Sequence, residues 1–275
     1  MKIIVLIKQV PETANARMDM TTGTIVRDGV EGIVNPLDLY AIEAALMLKR
    51  DLGAMVTALT MGPEAAKKSL KEAIAMGCDN GVLLSSREFA ASDTLATSRV
   101  LSMACKKIGF DLIIAGERAT DGDTAQVAPE VAALLNVPIG AYVSRIAERS
   151  EYGLTVDRLL EVGRERLALP YPCLISVVKE IAMPRLPTLR GKQRARASEL
   201  QVWSVHDLDG LSSDETGLNG SPTRVVKIEA QKAAGQGVQM DASEPYEIEA
   251  AVDALVDFLN RKNLLGKRRE DDESI

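Results

Sequence analysis

The 275-residue chain holds one histidine, one tryptophan and three cysteines, and aromatic residues make up only 3% of it. Each scarcity removes a class of chemistry. A single histidine, His206, excludes a His-rich metal centre, and its polar surroundings make it a poor member of a Ser-His-Asp triad. Cys78, Cys105 and Cys173 are odd in number, far apart and set in apolar patterns, which describes reduced core thiols rather than a disulfide framework or zinc site. Few rings and a net charge of -6, with a pI near 5.1, deny nucleic acid both stacking platforms and a basic face. No apolar run reaches membrane-spanning length. The opening MKIIVLIKQV has too short an apolar core and no small-residue cleavage site, so it reads as a first strand, and the expected location is the cytoplasm. The phosphate-loop pattern G-x-x-x-x-G-K-[ST] is absent and no G-x-G-x-x-G follows the first strand. A P-loop NTPase and a standard dinucleotide-binding dehydrogenase are both disfavoured.

What is present is a chain 46% apolar and 26% charged, long enough to bury a large core. Strand and helix patterns alternate through residues 1 to about 145. Lys2 to Lys8 is rich in β-branched residues; Asn35 and Pro36 then read as the N-cap and first residue of a helix with Leu39, Ile42, Ala45 and Leu46 on one face, ending near Gly53. Val56 to Met61 is the next strand, Gly62-Pro63 a turn, and Pro63 to Met76 a helix with Leu70 and Ile74 inward, closed by Gly77. Gly81 to Leu84 is a third strand and Asp93 to Ile108 a third helix. The expected fold is therefore α/β: a doubly wound, mostly parallel sheet with right-handed crossovers and helices on both faces.

The fourth unit, Phe110 to Glu130, organises the rest. Phe110 to Ala115 has the length and branching of a buried strand, Gly116 ends it, and Asp123 or Thr124 can cap a helix starting near Ala125. Such a junction at a strand's carboxyl end favours a phosphate or pyrophosphate bound by main-chain N–H groups. Asp121 and Asp123 would repel that phosphate, so their expected work is capping or holding ribose hydroxyls. A capped turn with no ligand fits the same residues. Lys8, Asn35, Met61, Gly62 and the stretch Gly116 to Gln126 all fall at strand carboxyl ends or beside them, and together they form a candidate rim.

Past Pro138 the pattern changes. Ala141 to Ile146, Leu154 to Leu160 and Glu165 to Leu169 read as short strands or hairpin arms, and Cys173 to Val178 as a strong apolar strand. Residues 183–196 carry prolines that discourage helix at the start, exposed leucines and five basic residues. They fit either a solvated linker or a docking loop with Leu186 and Leu189 as anchors and arginines, Arg190 among them, steering an acidic partner. Residues 207–244 are rich in Asp, Ser, Gly and Gln, with only Val225 to Ile228 strand-like. Tyr246 to Leu265 is an amphipathic helix with Ile248, Ala251, Leu255, Phe258 and Leu259 on one side, as expected of an element that wraps another subunit, and a charged tail follows. The expected division is an α/β domain over 1–200, including the docking loop, and an arm, helix and tail over 201–275.

These pieces together resemble the β subunit of an electron transfer flavoprotein, over essentially the whole chain up to about Leu265. The resemblance rests on Ile7-Lys8-Gln9-Val10-Pro11, Val34-Asn35-Pro36-Leu37-Asp38 with Ala41 to Leu46, Met61-Gly62-Pro63, Ala75-Met76-Gly77-Cys78-Asp79, Asp121 to Val127 and Leu189-Arg190-Gly191-Lys192. It implies a sheet of the adenine nucleotide alpha hydrolase-like type and a heterodimer whose α subunit carries its own FAD. It also implies that an adenine nucleotide binds at the rim and that the segment around Leu189 docks acyl-CoA dehydrogenase-type flavoenzymes.

Ordinary members of that family hold structural AMP in the β site, with three consecutive acidic residues in the matching loop. The loop here, Asp121-Gly122-Asp123-Thr124-Ala125-Gln126, resembles the branch that holds a second FAD and accepts hydride from NADH, as does Asp93-Thr94-Leu95-Ala96-Thr97-Ser98. In that branch the electrons divide between ferredoxin or flavodoxin and, through the α-subunit FAD, a dehydrogenase. The resemblance implies that Lys8, Asn35, Asp38, Met61, Gly62, Thr94, Thr97, Gly116 and Asp121 to Gln126 surround the nucleotide. Thr94 and Thr97 have an equally good explanation as helix-start residues. The alternatives are the AMP-holding carrier and, more remotely, a stand-alone ATP-binding signalling protein on the same type of sheet.

Overall fold

Side chains alternating along the first strand set the architecture. In the computed structural model, which describes residues 1–12, 17–19, 24–26, 32–226, 240 and 243–265, Ile3 and Val5 of β1 (Lys2–Leu6) enter one apolar core while Ile4 and Leu6 enter another. A strand buried on both faces belongs at the middle of a sheet covered above and below. Four short strands follow: β2 (Gln9–Pro11), β3 (Arg17–Asp19), β4 (Thr24–Val26) and β5 (Gly32–Val34). β2 pairs with β5 and β3 with β4, both antiparallel.

The alternating units are α1 (Pro36–Leu52), β6 (Met55–Met61), α2 (Lys67–Met76), β7 (Asn80–Leu84), α3 (Thr94–Ile108), β8 (Leu112–Gly116) and α4 (Val127–Leu135). Their ends obey local chemistry. Pro36 opens α1, and Gly53, in the left-handed region at φ 65°, closes it with its N–H on the Lys49 carbonyl. Asp93 caps α3 by accepting the Ala96 N–H at 3.0 Å. The helix expected from Pro63 instead opens with a tight 3-10 turn, Glu64–Ala66, before α2 begins, and buries Leu70 and Ile74 as the spacing requires.

The chain continues through β9 (Ile139–Arg149), β10 (Gly153–Leu160), β11 (Gly163–Pro170), β12 (Cys173–Val177), α5 (Leu189–Ala197) and β13 (Gln201–Trp203), with α6 (Pro245–Arg261) far downstream. The nine-stranded sheet has the order β11-β10-β9-β12-β8-β1-β6-β7-β13. Neighbours from β9 to β13 are parallel, and β10 and β11 extend the sheet as an antiparallel meander. Residues of α1 and α2 (Ile42, Ala45, Leu70) share a core with Ile3 and Val5; residues of α3 and α4 (Val100, Leu101, Val131) share one with Ile4 and Leu6. The fold class is thus the doubly wound sheet expected.

Two compact units divide the chain, Met1–Ile228 and Glu229–Ile275. β13 lies in the first, past the point where the sequence reading begins the arm, and Lys107 stands 4.7 Å over the ring of Trp203 there. Val225 and Val226 form no strand, and 227–228, with the charged tail 267–275, lie outside the described residues. In the second unit α6 leaves Ile248, Leu255 and Phe258 exposed. The three cysteines are free and buried, and burial raises all three thiol pKa values, those of Cys78 and Cys173 to about 12. Among the described residues no helix is long and apolar enough to cross a membrane.

Candidate nucleotide site at the β1–β8 junction

The chain winds outward from β1 through β6 and β7 on one side and through β8 and β12 on the other, so the order reverses between β1 and β8. Open α/β sheets keep ligands in the crevice at the carboxyl ends of such strands. α1 starts in that crevice. The Asn35 N–H donates to the Lys8 carbonyl at 2.8 Å and the Asp38 N–H to the Asn35 carbonyl at 2.9 Å. Gly116 permits this approach: a Cβ there would fall 2.4 Å from Asp38 Oδ1 and 2.9 Å from the Leu37 carbonyl.

Asn35 is fully buried at the N-cap position, yet its side chain caps nothing. Nδ2 donates to Asp38 Oδ1 and to the Arg118 carbonyl, both at 2.9 Å, while Oδ1 accepts the Thr120 N–H at 3.2 Å. The side chain therefore ties the loop after β8 to the start of α1. Asp38 completes the tie by accepting the Lys8 N–H on Oδ2 at 2.7 Å. Burial pushes the Asp38 carboxyl up to about 7, against the two hydrogen bonds and the Lys8 charge, which pull it down. With both oxygens engaged, Asp38 braces the rim from beneath.

The loop neutralises its own aspartates. Lys8 Nζ meets Asp121 Oδ1 at 2.7 Å, and Arg118 meets Asp123 at 3.0 Å and Glu117 at 3.0 Å. The Asp123 N–H is spent on the Ala119 carbonyl at 2.8 Å, which leaves Thr124, Ala125 and Gln126 as the loop's main-chain donors, so the expected donor set from Asp123 onward begins one residue later. Asp123 and Ala125 are left-handed, at φ 52° and 55°, and these turns stop any helix before Val127. The expected start near Ala125 and the expected cap are corrected accordingly: neither Asp123 nor Thr124 caps α4, because Asp123 turns to Arg118, and Gln126 at the N-cap makes no side-chain bond. Ala125 (left-handed) followed by Gln126 (right-handed) forms a nest of converging N–H groups at an uncapped helix start. A Cβ on the exposed Gly122 would meet nothing within 4 Å. This donor set fits a phosphate or pyrophosphate.

The remaining candidates lie around that edge. Met61 ends β6 beside β1 and Gly62 follows it, with the Gly62 N–H on the Leu84 carbonyl at 3.0 Å. Thr94 Oγ1 donates to Glu130 Oε1 at 3.0 Å and Ser98 Oγ to Glu130 Oε2 at 2.9 Å, which locks α3 to α4; Thr97 is half-buried on the same first turns. Sequence reasoning overlooked Glu130 and Arg118. The signal for Glu130 was a carboxylate in the first turn of α4, opposite hydroxyls four residues apart on α3.

The 183–196 segment is only partly a loop. Thr188 caps α5 by accepting the Gly191 N–H at 2.9 Å, and Gly191 lies so close to α2 that a Cβ would sit 2.0 Å from the Ala75 carbonyl oxygen. Prolines delay the helix but do not prevent it. Met183, Leu186 and Leu189 are 92%, 85% and 76% exposed, and Arg190 is exposed beside them.

The profile of the electron transfer flavoprotein domain matches residues 22–208. The chain is 42% identical over 241 residues to the electron transfer flavoprotein subunit beta of Clostridium acetobutylicum, covering 88% of this chain and 92% of that one. It belongs to the electron transfer flavoprotein β-subunit family. Other relatives in the family are subunit CarD of the caffeyl-CoA reductase-Etf complex of Acetobacterium woodii and the acryloyl-CoA reductase electron transfer subunit gamma of Anaerotignum propionicum. CarD is 39% identical over 267 residues, covering 96% of this chain and all of that one. The gamma subunit is 41% identical over 263 residues, covering 93% and 98%.

Proposed function

We propose that this β subunit binds FAD at the β1–β8 junction, accepts hydride there from NADH, and serves an α subunit carrying a second FAD. Electrons would then divide between ferredoxin or flavodoxin and an acyl-CoA dehydrogenase-type flavoenzyme. The observation that carries the reading is the nest at Thr124 to Gln126, where left-handed Ala125 and an uncapped α4 leave N–H groups without a protein partner while Lys8 and Arg118 pair with the adjacent carboxylates. Those N–H groups hold the phosphates, and Gly122 leaves room beside them. Met61, Gly62, Thr94 and Thr97 line the approach, and Asn35, Asp38 and Gly116 set the distance between the strand ends. The flavin supplies the redox chemistry; the protein orients it and sets its electrostatic surroundings.

Two relatives bear the names of reductases of CoA thioesters, caffeyl-CoA and acryloyl-CoA, which supports a partner of that class. Leu186, Leu189 and Arg190 dock it, and α6 with its apolar face covers part of the α subunit. The nucleotide-binding role falls to the α/β domain, which keeps β13 and so runs past the expected boundary at 200, and the α-wrapping role to the arm and α6 beyond it. The competing reading is structural AMP, because one nest serves a single phosphate as readily as a pyrophosphate. Anaerobic addition of NADH to the purified heterodimer distinguishes them. Bleaching of the flavin absorbance without any dehydrogenase present is the expected result; an unchanged spectrum overturns the NADH reading.

A further inference from the structure

A groove of about 570 Å³ runs between α2 and α5, floored by Ala75, Pro187 and Ala195 and walled by Lys71, Lys192 and Arg196. Glu72 is the one acid beside it. Lys71 Nζ is held by the carbonyl and hydroxyl of Ser198, and Lys192 and Arg196 stand one helical turn apart. Among the described residues none of these three cations enters an ion pair. The concentration of charge is local. Residues 185–196 hold five basic and no acidic side chains in a chain whose net charge is -6.

The groove is also rigidly framed. Two residues before Pro187, Arg185 clasps the buried Glu43 of α1 through two guanidinium contacts at 2.8 Å, and the Arg185 N–H adds a third bond at 3.0 Å. Arg194 crosses to the last turn of α2 and the chain just after it, donating to the Ile74 carbonyl at 2.7 Å and the Cys78 carbonyl at 3.3 Å. Gly191 lets the two helices touch. Ordering that a partner would otherwise have to impose is already built into the fold.

Unpaired cations over an apolar floor select a ligand that is anionic and apolar at once. A free phosphate would use the walls and waste the floor. We propose that the groove receives an acidic amphipathic helix of a protein partner, its apolar stripe on Ala75, Pro187 and Ala195 and its carboxylates on Lys192, Arg196 and Lys71. Leu186 and Leu189 flank Pro187 and extend the apolar contact outward. The inference rests on the reading of 183–196 as the docking segment and adds the chemistry that segment selects.

The test uses the purified heterodimer and two labelled synthetic helices of about fourteen residues, one with Glu and Leu at helical spacing and one with Lys in place of Glu. The acidic peptide should bind, weaken about tenfold when ionic strength is raised from about 0.01 M to about 1 M, which shortens the Debye length from about 30 Å to about 3 Å, and weaken about tenfold again in the Lys192→Glu/Arg196→Glu variant. That variant should now prefer the basic peptide. Unchanged affinity after charge reversal, failure of the acidic peptide to bind, or its displacement by millimolar inorganic phosphate overturns the proposal. If Leu189→Ala abolishes binding while charge reversal does nothing, the docking segment stands and the basic groove falls. Nucleotide content measured on the same preparations reports separately on the NADH reading.

Discussion

Asp38 makes the protein's stability depend on pH in an unusual direction. An aspartate in an unfolded chain titrates near 3.8, whereas burial raises the folded group to about 7. Between those values the folded state keeps a proton that the unfolded state has released. Stability therefore falls as pH rises through that window and levels off above about 7. The full displacement corresponds to about 4 kcal/mol, of which about 3 kcal/mol lies between pH 5 and pH 8. Asp38→Asn keeps the shape and removes the titration. Its amide sets an NH2 against one of two donors, the Lys8 N–H or Asn35 Nδ2, and this costs about 1–3 kcal/mol at every pH. The variant should thus start less stable than wild type at pH 5 and gain on it by about 3 kcal/mol at pH 8. Urea unfolding followed by fluorescence of Trp203, the single tryptophan, measures both curves. Parallel pH dependence in wild type and variant would refute the assignment of the buried proton to Asp38.

Other perturbations read different parts of the account. Gly116→Ala places a methyl 2.4 Å from Asp38 Oδ1, so α1 must move; the expected loss is about 1–3 kcal/mol in urea unfolding, together with lowered nucleotide content. Asn35→Ala removes three hydrogen bonds and strands the Thr120 N–H; hydrogen exchange should speed up through 117–126 while β1 and β8 stay protected, and an unchanged loop would contradict the bracing role. A thiol reagent should find no reactive cysteine in the native protein and all three after unfolding, because burial raises every thiol pKa.

Sequence and structure agree where one residue's chemistry decides the local form. The buried runs at Lys2 to Leu6 and Leu112 to Gly116, Pro36 after Asn35, and the glycines closing α1 and α2 are each legible from neighbours alone. Disagreement appears where partners distant in sequence compete. Asp123 had a local role as a helix cap, but Arg118 reached it first, and the helix moved on to Val127. Asn35 occupies the N-cap position its type suggests, yet it spends its amide on the loop 83 residues away. The α5 helix was hidden by Pro184 and Pro187, which lie just ahead of it and leave Thr188 free to cap. The rim itself was visible as a set of strand ends; the ion pairs that silence its acids, and the Glu130 lock between α3 and α4, needed the fold.

The central claim is that the nest at Thr124 to Gln126 holds an FAD pyrophosphate. Releasing and counting the nucleotides of the purified heterodimer tests it most directly. The account predicts two FAD per heterodimer and no AMP, whereas one FAD with one AMP contradicts it.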